Sequence, residues 1–193
     1  MKHFALLCIL VVTLFSQGCT VVALGSAVAV GASSSADPRS IGTQLDDTNN
    51  ALSIGNHINK IAGIQAASNI DIEVFNRQLL LTGQVVDASW VKAIDEVVAK
   101  NTYIEKAHNQ IRVAPLAGAK QQAKDIIIAN TIRAKLFADE RVSTTNMNVI
   151  VNNSEVFLMG LVTNQEATIA VDIARNVNNV TRVNRVFEII SPQ

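Results

Sequence analysis

The sequence contains the same pattern of residues twice, offset by 77 positions, and this repeat constrains the fold more than any other feature. Apolar residues alternate with polar ones over residues 70–74 and again over residues 147–151, which predicts a strand with one buried face in each copy. Turn-forming residues follow at 76–77 and 152–154, and they predict tight hairpins. A second strand therefore returns antiparallel to the first in each copy.

The rest of each copy follows the same order. The returning strands, residues 79–82 and 156–159, are each followed by a glycine, Gly83 or Gly160, which we expect to end them. Each copy then continues with a capping residue, an amphipathic helix and a closing strand: Asp87, 90–98 and 107–113 in the first, and Thr163, 169–177 and 183–189 in the second.

A short amphipathic helix also precedes the first strand of each copy. Its apolar face consists of Ile54, Ile58, Ile61 and Ala62 in the first copy, and of Ile128, Ile132 and Leu136 in the second, where we expect Asp125 to be the N-cap. Because a crossover helix returns the last strand parallel to the one before it, each αββαβ copy is predicted as a three-stranded mixed sheet with two helices on one face. The fold class is therefore α+β.

The composition and motifs favour neither nucleic-acid binding nor catalysis. Lys and Arg total 16, Asp and Glu also total 16, and aromatic residues make up 4% of the chain, so no basic field or stacking platform is expected. We expect His57 and His108 to be ordinary helix and strand residues, and the acidic pairs 46–47 and 139–140 to cap helices or stay solvated. We predict a protein that is not an enzyme and that has no metal or cofactor.

The N-terminus has the features of an export signal. Lys2 and an apolar run over residues 4–15 precede Ser16-Gln-Gly-Cys19, which resembles a bacterial lipobox except that Ser16 replaces the usual aliphatic residue. We expect residues 1–18 to be removed, Cys19 to carry the lipid and residues 19–47 to form a flexible tether. The alternative is an uncleaved anchor that continues through residues 20–31. The two copies would then occupy residues 48–116 and 117–193.

The repeat resembles the BON domain. The stretches that carry the resemblance are DPRSIGTQLDD at 37–47, before the first unit, and EVFLMGLVT at 155–163, in the second. BON domains are associated with phospholipid binding, and the resemblance implies a lipoprotein on the inner leaflet of the outer membrane of a Gram-negative bacterium, facing the periplasm. Thr20, where an Asp would signal inner-membrane retention, implies the same location.

The first helix of the second unit is the candidate site. If its apolar face points inward, the 100° step per residue turns Ile126, Arg133 and Phe137 outward and leaves Ile127 on a flank. The resemblance implies contact with an anionic, phosphatidylglycerol-like lipid from Ile127 to Phe137, although an aromatic residue expected at Ile127 and a basic one near Thr131 are missing. The predicted lipid-binding residues are Lys124, Ile126, Ile127, Thr131, Arg133 and Phe137. Alternatively, the isoleucines pack against the first unit or the linker.

Two side chains of the second unit suggest how the units meet. Phe157 and Met159 stand where the first unit has Leu80 and Thr82, on a sheet face that an isolated unit would keep polar. We therefore expect Phe157 and Met159 to contact the first unit. Two other functions stay open. One is an adaptor that docks onto envelope machinery, such as the outer-membrane barrel-assembly complex, a partner that the resemblance implies. The other is a cell-wall-binding or osmotic-stress accessory protein, like other BON-containing chains.

Overall fold

The computed structural model describes residues 37–191. The first domain contains helix α1 (Ile41–Asn59), the single turn α2 (Ile64–Ala67), strands β1 (Ser68–Phe75) and β2 (Gln78–Val85), helix α3 (Ala88–Val98) and strand β3 (Lys106–Val113). The second contains α4 (Ala119–Phe137), a 3-10 turn (Thr144–Asn146), β4 (Met147–Asn152), β5 (Glu155–Val162), α5 (Asn164–Arg175) and β6 (Arg182–Ile189). Both domains therefore have the predicted α+β architecture.

Each sheet has the predicted mixed topology. Strand β2 pairs antiparallel with β1 and parallel with β3, and β5 pairs in the same way with β4 and β6. The helices of each domain cover one face of its sheet and enclose a separate apolar core with it. In the second domain Ile132 and Leu136 of α4 are almost fully buried in that core, so the inward side of the candidate helix is fixed by packing.

The hairpin turns are held by an acidic side chain from the first helix of each domain. Asn153 and Ser154 adopt φ values of 51° and 65°, the left-handed conformation of a two-residue type I′ turn. Their backbone N–H groups donate to the Asp125 carboxylate at 2.8 Å each. The expectation that Asp125 caps the helix was wrong, because α4 begins six residues earlier, after Gly118.

The first domain repeats this arrangement with Asp47. Its carboxylate accepts hydrogen bonds from the backbone N–H groups of Asn76 at 2.7 Å and Arg77 at 3.0 Å. Tyr103 donates to the same carboxylate at 2.9 Å, and Arg39 pairs with it at 2.8 Å. Asp47 is thus buried and fully engaged, which corrects the expectation that it caps a helix or stays in solvent.

The first helix is longer than the sequence pattern indicated. It begins at Ile41, with the Ser40 side chain accepting from the Thr43 backbone N–H, so the last part of the stretch predicted as a tether is helical. Arg39 also lies over the ring of Phe75, 3.6 Å from its centroid. The signal peptide, Cys19 and the tether up to residue 36 lie outside the described residues.

The glycines lie inside the second strands and do not end them. Strand β2 continues to Val85, and Gly83, with φ 119°, lies opposite Ile70. A Cβ atom at Gly83 would come within 1.9 Å of the Asn69 carbonyl oxygen. The glycine therefore permits a close approach of two strands. By contrast, the predicted helix caps are confirmed: Asp87 accepts from the Ser89 backbone N–H, and Thr163 forms a capping box with Glu166.

The two sheets pack against each other through the faces that their own helices leave uncovered. Phe157 and Met159 are buried there with Phe75 and Leu80 of the first domain. Polar bonds surround this cluster, among them Asn148 Nδ2 to the Glu73 carboxylate at 2.6 Å. Between residues 37 and 191, no helix is long and apolar enough to cross a membrane.

Candidate functional site on helix α4

Helix α4 presents large apolar side chains outside the core. Ile126, Ile127 and Phe137 are 61%, 66% and 81% exposed. A helix with this pattern normally has a partner for its outer surface, because clustered exposed apolar residues mark interaction sites. The structure places Ile126 and Arg133 in one groove and Lys124, Ile127 and Thr131 in another, on opposite flanks of α4, while Phe137 lies in neither.

One flank of α4 faces the first domain and is here called the domain-side groove. It has a volume of about 450 Å³, and it includes Ile126 and Arg133 of α4 together with Asp71 and Glu73 of β1. Arg133 donates from Nη2 to the Val149 carbonyl oxygen at 2.5 Å. Because three carboxylates, those of Asp71, Glu73 and Asp125, line this groove and the guanidinium is already bonded, the groove is poorly suited to an anionic group.

The environment of Glu73 is unfavourable to negative charge in the domain-side groove. Burial raises the pKa of its carboxyl above the ordinary value of 4.5, although the hydrogen bond from Asn148 acts in the opposite direction. A second anion placed beside this carboxylate would add repulsion in a partly desolvated site.

The other flank, here called the lysine groove, has the opposite character. It has a volume of about 510 Å³ and lies between α4 and the loop after α5. Three of its residues are lysines and none is acidic: the lining includes Lys120, Lys124, Lys135, Ile127, Thr131 and Val177. Thr131 is less available than its position suggests, since its hydroxyl donates to the Ile127 carbonyl oxygen at 2.8 Å. The lysine groove therefore combines an apolar floor with cationic walls.

Some lining residues of the lysine groove were not predicted. Lys120 lies two helical turns before Ile127, in a stretch without an apolar stripe, so periodicity gave no reason to extend the helix to it. Further lining residues outside the predicted set include Lys135 and the asparagines of the loop after α5: Asn176, Asn178 and Asn179. Asn179 has φ 69°, and asparagine is one of the few residues that tolerates this conformation. The one sequence signal that could have located this groove was the spacing of the lysines along α4.

Phe137 lies outside the lysine groove, and so do His57 and Asp139, for which we expected no binding role. Phe137 ends α4 beside Arg133, Thr144 and Asn148, away from the lysine groove. His57 bonds the Ser53 carbonyl oxygen at 2.7 Å. Asp139 pairs with Arg141, whose hydrogen bonds lower the pKa of the Asp139 carboxyl to about 2.

Metal coordination finds no support in the part of the chain that the structure describes. Within residues 37–191, no group of three or more His, Cys, Asp or Glu side chains is placed to hold a metal ion.

Comparison with known proteins gives consistent results. The family model of the BON domain matches residues 46–115 and 124–191. The chain is 36% identical over 177 residues to outer membrane lipoprotein DolP of Haemophilus influenzae, covering 91% of each protein. It is 32% identical over 154 residues to the 21 kDa hemolysin of Actinobacillus pleuropneumoniae, covering 80% of this chain and 79% of that protein. Neither relative has the name of an enzyme.

A solved structure was also found. The structure of CdsD, a structural protein of the type III secretion system of Chlamydia trachomatis, matches 76% of this chain and 92% of that chain. The identity is 12% and the TM-score is 0.32.

Proposed function

This chain belongs to the BON domain family and carries two copies of the domain, and from that premise we propose a non-catalytic outer-membrane lipoprotein that binds anionic phospholipid. Binding takes place through the second domain, and it supports the integrity of the cell envelope. The observation that carries this proposal is the lysine groove, where three lysines and no acid surround exposed apolar side chains of α4.

The charge of the lysine groove suits a lipid phosphate. Each basic side chain near an anionic membrane surface contributes about 1 kcal/mol of attraction. Lys120 and Lys124 lie in the N-terminal part of α4, whose first turn contains no acidic residue. The positive end of the helix dipole adds to their attraction for an anion. Ile127, beside them, supplies apolar surface to the acyl-chain boundary, as interfacial amphipathic helices do.

The first domain offers an internal comparison. Asp47 and Asp125 hold the hairpin turns in the same way, so positions on α1 and α4 correspond at an offset of 78 residues. The three lysines of the groove then correspond to uncharged or oppositely charged positions on α1: Gly42, Asp46 and His57. Of these two helices, α4 therefore has the positive charge that an anionic lipid requires and α1 does not, so we assign binding to the second domain.

Lipid attachment at Cys19 would place the folded domains beside the membrane. The sequence motif at residues 16–19 and the similarity to a lipoprotein support this attachment. A triacylated cysteine anchors far more strongly than a single acyl chain, since each buried CH₂ contributes about 0.8 kcal/mol. In the proposed arrangement the chain is held at the inner leaflet of the outer membrane and faces the periplasm. Because the anchor already holds the chain at the membrane, a weak affinity of the lysine groove for lipid is enough for binding.

Vesicle partitioning of residues 20–193 tests this proposal without interference from the anchor. We expect binding to vesicles that contain phosphatidylglycerol and a loss of at least tenfold in affinity for the double variant Lys124→Glu, Lys135→Glu. The matched control is Lys92→Glu with Lys100→Glu, which makes the same charge change on α3 of the first domain and in the turn that follows it. Equal losses in both variants would show a general charge effect and would contradict a specific groove.

A photo-crosslinker at position 127 separates lipid binding from the adaptor function. Crosslinks to lipid support the proposal. Crosslinks to envelope proteins alone, with no dependence on lipid charge, would favour the adaptor.

A further inference from the structure

The domain-side groove has a buried hydroxyl on its wall that has no hydrogen-bond partner. Thr82 of β2 lines this groove and is 1% exposed. Among the buried side-chain nitrogen and oxygen atoms of residues 37–191, Thr82 Oγ1 is the one that forms no hydrogen bond. Buried polar groups are normally paired, because an unpaired one costs stability. An unpaired hydroxyl on the wall of a cavity therefore points to a molecule that binds there.

Two carboxylates of β1 lie beside this hydroxyl, and each has one unused oxygen. Asp71 stands directly opposite Thr82 in the ladder between β1 and β2. Glu73 follows at i+2 on the same face of the strand, about 7 Å further along. Asn152 donates to Asp71 Oδ2 at 3.0 Å, and Asn148 donates to Glu73 Oε1 at 2.6 Å. No described residue donates to the second oxygen of either carboxylate, so the groove offers two free anionic acceptors.

The negative charge of the domain-side groove is not paired with a cation of the protein. Asp125 adds a third carboxylate, which is engaged by the hairpin turn. Arg133, the one basic side chain among the lining residues, donates to a backbone carbonyl oxygen and to an asparagine side chain instead. Residues 20–36 contain no Lys or Arg, so the tether has no cation to supply. Burial raises the pKa of the Glu73 carboxyl, and a cation beside it would act in the opposite direction.

We propose that the domain-side groove is a binding site for a short aliphatic diamine. One ammonium group lies between Asp71 and the Thr82 hydroxyl, and the other lies at Glu73. Each ammonium donates hydrogen bonds and carries the charge that the groove lacks. Ile126 and Ile150 line the same groove and provide apolar surface for the methylene chain. This site is separate from the lysine groove, and the inference does not depend on lipid binding.

A diamine fits the domain-side groove better than a metal ion or a single ammonium group. In the described part of the chain, no three His, Cys, Asp or Glu side chains are placed to hold a metal ion. One nitrogen that bonds two oxygens at about 2.9 Å each spans at most about 6 Å, less than the distance of about 7 Å along the strand between Asp71 and Glu73. The groove volume of about 450 Å³ lies in the usual range of small-molecule sites, about 300–1,000 Å³.

Isothermal titration of the full acylated chain with butane-1,4-diamine, in uncharged detergent micelles, tests this inference. We expect saturable binding to one site, and an affinity at least tenfold weaker for Asp71→Asn and for Glu73→Gln. Thr82→Val keeps the shape of the side chain and removes the hydroxyl. It should also weaken binding, and it should raise the thermal unfolding midpoint of the ligand-free protein, since the unpaired group is gone. Asp46→Asn, which removes an exposed carboxylate from α1, is the matched control.

The diamine should raise the unfolding midpoint of the wild type and of Asp46→Asn but not that of Asp71→Asn. Circular dichroism before each titration confirms that the variants are folded. Butan-1-amine, with one ammonium group, should bind more weakly, and uncharged butane-1,4-diol should not bind. Because the micelles contain no anionic lipid, none of these results changes the standing of the lipid-binding proposal.

Three results would overturn the inference. The first is the absence of saturable diamine binding to the wild type. The second is an equal loss of affinity in Asp46→Asn and Asp71→Asn, which would show a general charge effect. The third is displacement of the diamine by an equal concentration of magnesium chloride, which would assign the groove to inorganic cations.

Discussion

Asp125 performs in the second domain the role that Asp47 performs in the first. Each is on the helix that begins its domain, and each carboxylate accepts hydrogen bonds from both backbone N–H groups of the β-hairpin turn at distances of 2.7–3.0 Å. The bonds tie the helix to the sheet at a point inside the helix, at the seventh residue from its start. In the second domain they fix the rotation of α4, and with it the flank on which the lysines lie.

Asp125→Ala should therefore destabilise the protein strongly. Two turn N–H groups would lose their acceptor in a buried place, which costs about 2–4 kcal/mol in the free energy of unfolding. Urea unfolding measures this cost, and Asp46→Ala, which removes an exposed carboxylate from α1, is the control. If the two variants have equal stability, the hairpin bond does not hold the helix.

Gly83→Ala should also lower stability, by roughly 2–4 kcal/mol, because the new Cβ would meet a backbone oxygen in a strained conformation. Gly55→Ala provides the contrast. Its Cβ would make an ordinary contact, 3.5 Å from Ile72, and alanine is favoured over glycine within a helix by about 1 kcal/mol. Thermal unfolding of both variants should show shifts of opposite sign; a tolerated Gly83→Ala would refute the close strand approach.

Substitutions of two phenylalanines should have different effects, one on the stability of the fold and the other on vesicle binding. Phe157→Ala opens a cavity between the two sheets and should cost about 3–5 kcal/mol in unfolding free energy. Phe137→Ala, at an exposed helix end, should change stability by about 0.5 kcal/mol or less, and any effect should appear in vesicle binding. Calorimetry and vesicle partitioning on both variants check this assignment. A stable Phe157→Ala protein would show that the sheets do not depend on each other.

The stability of the protein should depend on pH through Glu73. Burial raises the pKa of this carboxyl in the folded state, so the folded protein keeps a proton that the unfolded chain has already lost. The contribution of Glu73 to stability is then largest below its ordinary pKa of 4.5 and declines as pH rises through the raised value. Glu73→Gln removes this titration and keeps an oxygen for Asn148.

Urea midpoints of the wild type and of Glu73→Gln between pH 4 and pH 7 measure the effect. We expect the variant to gain stability relative to the wild type as pH rises. Glu140→Gln, at an exposed position, should follow the wild type throughout. Parallel curves for all three proteins would contradict a raised pKa at Glu73.

The sequence was sufficient for the order of elements and insufficient for the ends of the first helices. Apolar alternation and turn residues located the hairpins, and Asp87 and Thr163 located the caps. The expected start of α4 at Asp125 was wrong because residues 119–124 extend beyond the core and have no apolar stripe, while Gly118 offers no side-chain cap. The sequence also gave no sign that the carboxylate of Asp125 binds a hairpin turn that begins 28 residues later, at Asn153.

The site was predictable in location but not in geometry. The helical rotation per residue correctly predicted that Ile126 and Phe137 lie on the outer side of α4. It gave no sign that this outer side consists of two separate surfaces. The structure has two, because β1 of the other domain brings Asp71 and Glu73 beside Arg133 and leaves the lysines on the far flank. The division into two grooves depends on how the domains pack, and a helical wheel of α4 carries no information about that packing.

The most direct test of the lipid-binding proposal is the partition coefficient of residues 20–193 on vesicles of graded phosphatidylglycerol content, at low and at high salt. Attraction between the lysine groove and lipid phosphate predicts that binding rises steeply with the anionic fraction and weakens several-fold as salt screens the charges. Binding that is absent, or equal on purely zwitterionic vesicles and unaffected by salt, would contradict the proposal.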